Sequence, residues 1–365
     1  MKKALSLILA LAMTLSLAAC GGSPGGSPGG TSGNPGAGGS GSGGQNSGSQ
    51  AAPELEYPVR SINNIIPFGA GGGTDVWNRA LMDAMGSIMG QTIVSSNMTG
   101  GSAGSIGVSY VWEAPHDGYT LCGTSETPLT IPVMTNLEQT SKDWIYYIAA
   151  GSPGVLCVNR STGLTSLEDV VAALKDDPQS LSIAGTTGGL WFALAKLFDS
   201  YGNVPFKWVA YDGSSTAIKG CVSSEANCVV ASAGEVVDYV RAGDLIPLCV
   251  MNTEDWEFPG YGNLPAVTQT VPELAQYLPL SQFLGFMIPA DTDPAIVEYL
   301  NGVFDQAMAT DSIKQFAEDN VCQLYGYTGQ EASDFAASLE SKLCWVLYDM
   351  GQTTYSPEDF GIPKP

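Results

Sequence analysis

From residue 62 onward, short apolar runs bounded by glycine, proline or small polar residues alternate with longer stretches of helical spacing. The short runs predict strands over 62–68, 92–96, 119–124, 181–184, 207–210, 228–231 and 246–250. The longer ones predict helices over 75–89, 167–175, 190–201, 294–309, 313–318 and 331–350, with short helices between the later strands. Ser166 with Asp169, and Thr328 with Glu331, have the spacing of a capping box at a helix start. Strands alternating with helices imply parallel α/β layers.

The amino terminus departs from this pattern. Lys2 and Lys3 precede a stretch over 4–19 that is apolar apart from small hydroxyl residues. It is shorter than the roughly 20 residues of a membrane-spanning helix and fits a secretory signal. It closes on Leu17-Ala18-Ala19-Cys20, which resembles a bacterial lipobox. That resemblance implies cleavage after residue 19 and a diacylglycerol on the Cys20 sulfur, anchoring the chain to a lipid bilayer outside the cytoplasm. Residues 20–52 are almost wholly Gly, Ser, Pro, Asn and Gln, which cannot build a core and read as a tether. A Gly-rich coil of that length has an end-to-end distance of about 30 Å.

Without Lys2 and Lys3, the mature chain carries 12 basic against 36 acidic side chains, a net charge of −24. Nucleic acid is excluded as a partner on that balance, because its binding rests on Lys and Arg neutralising phosphates. With Cys20 lipidated, seven cysteines remain, so at least one is unpaired. Cys122, Cys157 and Cys249 fall in apolar strand-like runs, whereas Cys221–Cys228 and Cys322–Cys344 are open as possible bridges. There is no CxxC pair and a single histidine, His116, which argues against a zinc site and leaves no cofactor implied.

The most informative segment runs Ile65-Ile66-Pro67-Phe68-Gly69-Ala70-Gly71-Gly72-Gly73-Thr74-Asp75. A strand enters a glycine-rich turn that opens a helix, and free N–H groups at a helix start attract anions. A phosphate loop needs Lys followed by Ser or Thr after its last glycine, where this chain has Thr74-Asp75. The spacing is not that of a dinucleotide fingerprint, and Asp75 would repel a pyrophosphate. A small-anion site on the amides of Gly71, Gly72, Gly73 and Thr74 meets neither objection. Asp75 is placed to cap its own helix start, and Arg79 to pair with Asp75.

The chain resembles the substrate-binding proteins of tripartite tricarboxylate transporters, the Bug receptors. The resemblance rests on Tyr57-Pro58-Val59-Arg60, on Pro67-Phe68 with Gly71-Gly72, Asp75 and Arg79, and on Gly100-Gly101-Ser102-Ala103-Gly104. It continues through Ala114-Pro115-His116-Asp117-Gly118-Tyr119-Thr120-Leu121 and Gly285-Phe286-Met287-Ile288-Pro289-Ala290, and covers nearly all of 57–351. It implies an α/β, type II periplasmic-binding-protein fold of two lobes: the first over 53–154 and 253–365, the second over 155–252. It further implies a ligand carboxylate held between two strand-to-helix turns, one at 68–75 and the other at Thr186, Thr187, Gly188 and Gly189. Thr124, Ser125, Glu126 and Thr127, Tyr211, and Ser232 match the cleft edge. Three positions depart from the family pattern: Phe192 where histidine is frequent, Glu126 where a small residue is usual, and Asn227 where an acid is usual.

Trp77 and Trp191 lie near the two helix starts and read as core or as walls of a ligand site. His116 reads as an exposed turn residue, and Ser125 has no histidine partner for a nucleophilic triad. Glu126 is either a partner for a ligand ammonium or a solvated loop acid. These readings make the chain an extracytoplasmic receptor that captures a small carboxylate for membrane permease subunits, and not an enzyme. A ligand sensor for a signalling partner is the second reading, and a secreted enzyme on the same fold the third.

Overall fold

The computed structural model describes residues 55–365; the leader, Cys20 and the glycine-rich segment lie outside them. The helix Gly73–Met89 places Trp77, Leu81, Met82 and Met85 on one face at helical spacing. That face lies on a six-stranded sheet, beside Phe286, Ile288 and Leu300. Each such side chain contributes roughly 1.5–3 kcal/mol when taken out of water.

The strand order of this sheet is Gln323–Tyr327, Trp144–Gly151, Leu284–Pro289, Thr120–Ser125, Ile62–Ile66, Ile93–Asn97. A second sheet of five strands runs Lys207–Ala210, Ser182–Gly185, Cys228–Ser232, Gly154–Asn159, Leu245–Val250. The chain passes between the sheets twice. It leaves the first at Ser152 and Pro153, and returns through 251–283, which carries the ribbon Trp256–Phe258 and Gly262–Leu264.

The sheets are mixed rather than parallel. Leu284–Pro289 runs antiparallel to both Thr120–Ser125 and Trp144–Gly151, and Gly154–Asn159 is antiparallel to both of its neighbours. The two crossings are the cause, because each enters its new sheet from the cleft side without a helical crossover to reverse it. The helix Gly189–Ser200 is buried on nearly every side, as an apolar helix inside a core must be. Phe192 is part of that core and meets the Trp208 ring edge-on at 5.0 Å.

The Ser166–Asp169 capping box forms, with both reciprocal bonds at 3.1 Å. Thr328 makes no side-chain bond at the start of the helix Gly329–Asp349, so the second box does not. All seven cysteines of the described residues are free thiols, including Cys221, Cys228, Cys322 and Cys344. Asn227 is a structural residue: its side-chain oxygen Oδ1 accepts from the backbone N–H and the hydroxyl of Ser182, both at 2.9 Å, stitching two strands together.

Candidate functional site

Each sheet delivers one glycine turn to the cleft between the two sheets. The first follows Ile62–Ile66, and Gly71 takes φ +80° there, a left-handed conformation that favours glycine. Asp75 fixes the turn. Its carboxylate accepts from Gly71 N (2.8 Å), Arg79 Nε (2.8 Å) and Asn97 Nδ2 (2.9 Å), and Asn97 also donates to the Phe68 carbonyl (2.9 Å). Burial raises the Asp75 pKa, but the hydrogen bonds from Arg79, Gly71 and Asn97 outweigh it and hold the group below its ordinary value.

The second turn follows Ser182–Gly185 and opens the helix Gly189–Ser200. Gly189 has φ +77°, and a Cβ there would lie 2.5 Å from the Thr127 side chain of the opposite lobe. The close approach of the two lobes therefore requires glycine. Neither helix start has a side-chain cap at its N-cap residue, Gly72 or Gly188.

Between the turns lies a chamber of about 40 Å³ lined by residues of both. That is room for a few waters, and a dicarboxylate requires the lobes to part. One of its amides is already engaged: Gly73 N donates to Glu235 Oε1 at 2.8 Å. The same carboxyl accepts a short hydrogen bond from the Ser214 hydroxyl and, through Oε2, a bond of 2.7 Å from Ser232 Oγ. Glu235 begins the helix Ala233–Ala242 on the far side of the cleft, so its carboxylate latches the closed lobes together.

Glu126 is not a solvated loop acid. It is 1% exposed, and its carboxyl accepts from Thr127 Oγ1 and Phe283 N, both at 3.2 Å. Burial pushes its pKa up to about 8, against the lowering effect of those hydrogen bonds. Gln282, beside it in the chamber wall, is 4% exposed, and its Oε1 accepts no hydrogen bond among the described residues. The lining residues include Glu126 and Glu235 but no lysine, arginine or histidine.

Of the positions expected at the site, Phe68, Gly69, Gly72, Gly73, Thr74, Ser125, Glu126, Thr186 and Gly188 line this chamber. Thr187 and Tyr211 line a wider depression of about 240 Å³ that shares Phe68 and Thr186 with it. Thr187 Oγ1 accepts from Trp208 Nε1 (3.3 Å), and the Tyr211 hydroxyl donates to Glu225 (3.1 Å). Ser232 and Gly71 open onto a third depression beside Glu235. Ala70 is exposed and Thr124 fully buried; neither lines a cavity described here. Asp75 serves the turn itself, and the Gly71 amide it holds is not offered to a ligand.

Trp191 walls the chamber, whereas Trp77 is packed on Phe316 with its indole N–H directed at Cys322 Sγ (3.2 Å). His116 is only partly exposed; its ring nitrogens lie 2.5 Å from Asp291 Oδ1 and 2.8 Å from the Trp112 carbonyl. Sequence reading missed Glu235, Gln282 and Ser214. The Ser232-x-x-Glu235 spacing of a capping box was the one available signal, and both reciprocal bonds of that box form.

Residues 77–351 match the family described as the tripartite tricarboxylate transporter family receptor. Protein BugT of Bordetella pertussis is 27% identical over 265 residues, covering 70% of this chain and 79% of that protein. A Cupriavidus necator protein encoded in the gbd 5′ region is 26% identical over 300 residues, covering 81% and 89%. Among solved structures, Rpa4515 of R. palustris with adipate superimposes with a TM-score of 0.72 at 23% identity, covering 81% of this chain and 98% of that one. MatC from Rhodopseudomonas palustris with bound malate gives 0.70 at 20%, covering 80% and 100%. The periplasmic binding protein BugD gives 0.70 at 18%, covering 85% and 100%. These likenesses establish the two-lobed binding-protein fold.

Proposed function

This chain belongs to the tripartite tricarboxylate transporter receptor family, and from that premise we propose that its interlobe cleft captures a small carboxylate for delivery to membrane permease subunits. The observation that carries the reading is the Gly73 amide holding a carboxylate, that of Glu235, at the start of a 17-residue helix whose own N-cap residue, Gly72, supplies no side-chain cap. When the lobes part, that N–H and its neighbours become a ready anion site. The second such start, at Gly188 and Gly189, faces the first across the chamber. Each helix start favours an anion by about 0.3–1 kcal/mol when exposed and up to about 2 kcal/mol when partly buried. The adipate and malate in Rpa4515 and MatC fit the same chemistry.

A thermal-shift panel tests the ligand class. Carboxylates raise the melting temperature and neutral sugars do not, because a ligand bound only to the folded state at 100 times its Kd adds about 2.7 kcal/mol. Stabilisation by sugars with none by carboxylates would refute the reading.

The lobes are proposed as 53–154 with 253–365, and 155–252, on the strength of the two crossings. The chain is proposed to act outside the cytoplasm, lipid-anchored through Cys20 after loss of residues 1–19. Cys20→Ser is expected to release the protein from the membrane fraction while leaving its ligand-induced melting shift intact. A wild-type protein carrying no lipid in intact-mass spectrometry would end the anchor proposal.

A further inference from the structure

The chamber's titratable side chains are both acidic, although the ligand proposed for it is an anion. Glu126 and Gln282 are both buried in its wall, and Gln282 Oε1 has no donor among the described residues. Glu235 adds a second acidic side chain from the opposite lobe, and it is the one other titratable group among the lining residues. A ligand bearing only carboxylates would meet two acidic side chains with no cation to offset them. Water in the chamber could satisfy Gln282 but would bring no counter-charge to either acid.

We infer that the ligand is a zwitterion, whose carboxylate sits on the glycine turns while its ammonium is received by the wall of Glu126, Gln282 and Glu235. This deepens the carboxylate reading and rests on it. An ammonium brings three donors and no acceptor, which matches a wall that carries two acidic side chains and a glutamine oxygen without a donor among the described residues. It also gives the buried Glu126 a counter-charge, the condition under which a carboxyl in an apolar wall ionises. Binding near neutral pH therefore expels a proton from Glu126 into solvent as the ammonium enters. The receptor is then selective for amino acids over the dicarboxylates that Rpa4515 and MatC hold.

The competing geometry has a protonated Glu126 donating to a ligand carboxylate, and it makes opposite predictions. Binding would then take up or keep a proton, and would weaken as pH rises through 8.

The experiment pairs each common amino acid with its 2-hydroxy analogue, for example aspartate with malate and alanine with lactate, in calorimetry on the purified protein. In at least one pair the amino acid is expected to bind ten or more times more tightly than the hydroxy acid. The best binder is repeated at pH 7 in buffers of different ionisation enthalpy, where close to one proton is released per site. Glu126→Gln is expected to abolish that release and to lower amino-acid affinity more than tenfold, with hydroxy-acid affinity unchanged or raised. Circular dichroism confirms the fold of the variant.

Hydroxy acids or dicarboxylates binding as well as or better than every amino acid would overturn the inference and leave the carboxylate reading standing. Proton uptake by the wild type, or an unchanged preference in Glu126→Gln, overturns it as well. Primary amines lacking a carboxylate that bind as tightly as amino acids would instead sink the carboxylate reading. If no member of the panel binds, both readings fall.

Discussion

At pH 8 and without ligand, Glu126→Gln is expected to unfold at a markedly higher urea concentration than the wild type, and at pH 4.5 the difference is expected to vanish. The wild-type carboxyl is 1% exposed, and burial lifts its pKa from 4.5 to about 8. The folded protein thus keeps a proton that the unfolded chain gives up above pH 4.5. Folding stability falls as pH rises through this window and levels off above the folded-state pKa. A shift of that size corresponds to roughly 4 kcal/mol by pH 8, at about 1.4 kcal/mol per unit. Glutamine has nothing to titrate and still offers an acceptor to Phe283 N, so the variant lacks this part of the pH dependence and keeps the rest. Parallel pH dependences for the two proteins would show that Glu126 is ionised in the empty cleft.

Asp75→Ala has the second large effect, and its sign with pH is the reverse. The substitution strands three donors: Gly71 N, Arg79 Nε and Asn97 Nδ2. A buried donor left without its partner costs about 1–3 kcal/mol, and here the stranded amide groups belong to the turn and to the strand beside it. Asn97 also holds the Phe68 carbonyl, so the first glycine turn loses its anchor and ligand affinity falls more than tenfold with it. Because its folded pKa is depressed, Asp75 contributes stability that is present above its ordinary value of 3.8 and is lost as pH falls through the lower folded value. Arg79→Ala is a control. That side chain is 44% exposed, and its loss leaves Asp75 its bonds from Gly71 and Asn97, so the turn stays anchored and the destabilisation is smaller. Equal destabilisation by both variants, in urea titrations at pH 7, would mean that the ion pair, and not the turn, is what Asp75 supports.

Both glycine turns were legible in the sequence because their causes are local. A buried strand, a glycine able to take positive φ and a helix start follow one another closely at 62–73 and again at 182–189. The antiparallel strands Trp144–Gly151 and Gly154–Asn159 gave weaker signals, since both are buried on both faces and show no alternation. Two residues separate them, too few for the sequence to disclose that the chain changes sheets. Glu126 was visible as an oddity against the family pattern, but its burial depends on Phe283, which lies 157 residues away. Gln282 and Glu235 were out of reach for the same reason, because their place at the chamber is set by the return crossing and by closure of the lobes. The Thr328–Glu331 box shows the reverse failure: the spacing is right, but Thr328 makes no side-chain bond to its helix.

The bond from Gly73 N to Glu235 gives the receptor an internal competitor. A carboxylate tethered to the opposite lobe acts at a high local concentration, which an external solute has to overcome. Some fraction of the empty molecules is therefore shut, and observed affinity is the intrinsic affinity reduced by the fraction that is open. The resulting threshold is built from the protein's own chemistry. A solute that binds the amide no better than a glutamate side chain does leaves the cleft as it was, and one that binds better is retained. Closure alone then cannot tell a permease that cargo is aboard; the signal has to lie in how the loaded cleft differs from the self-latched one.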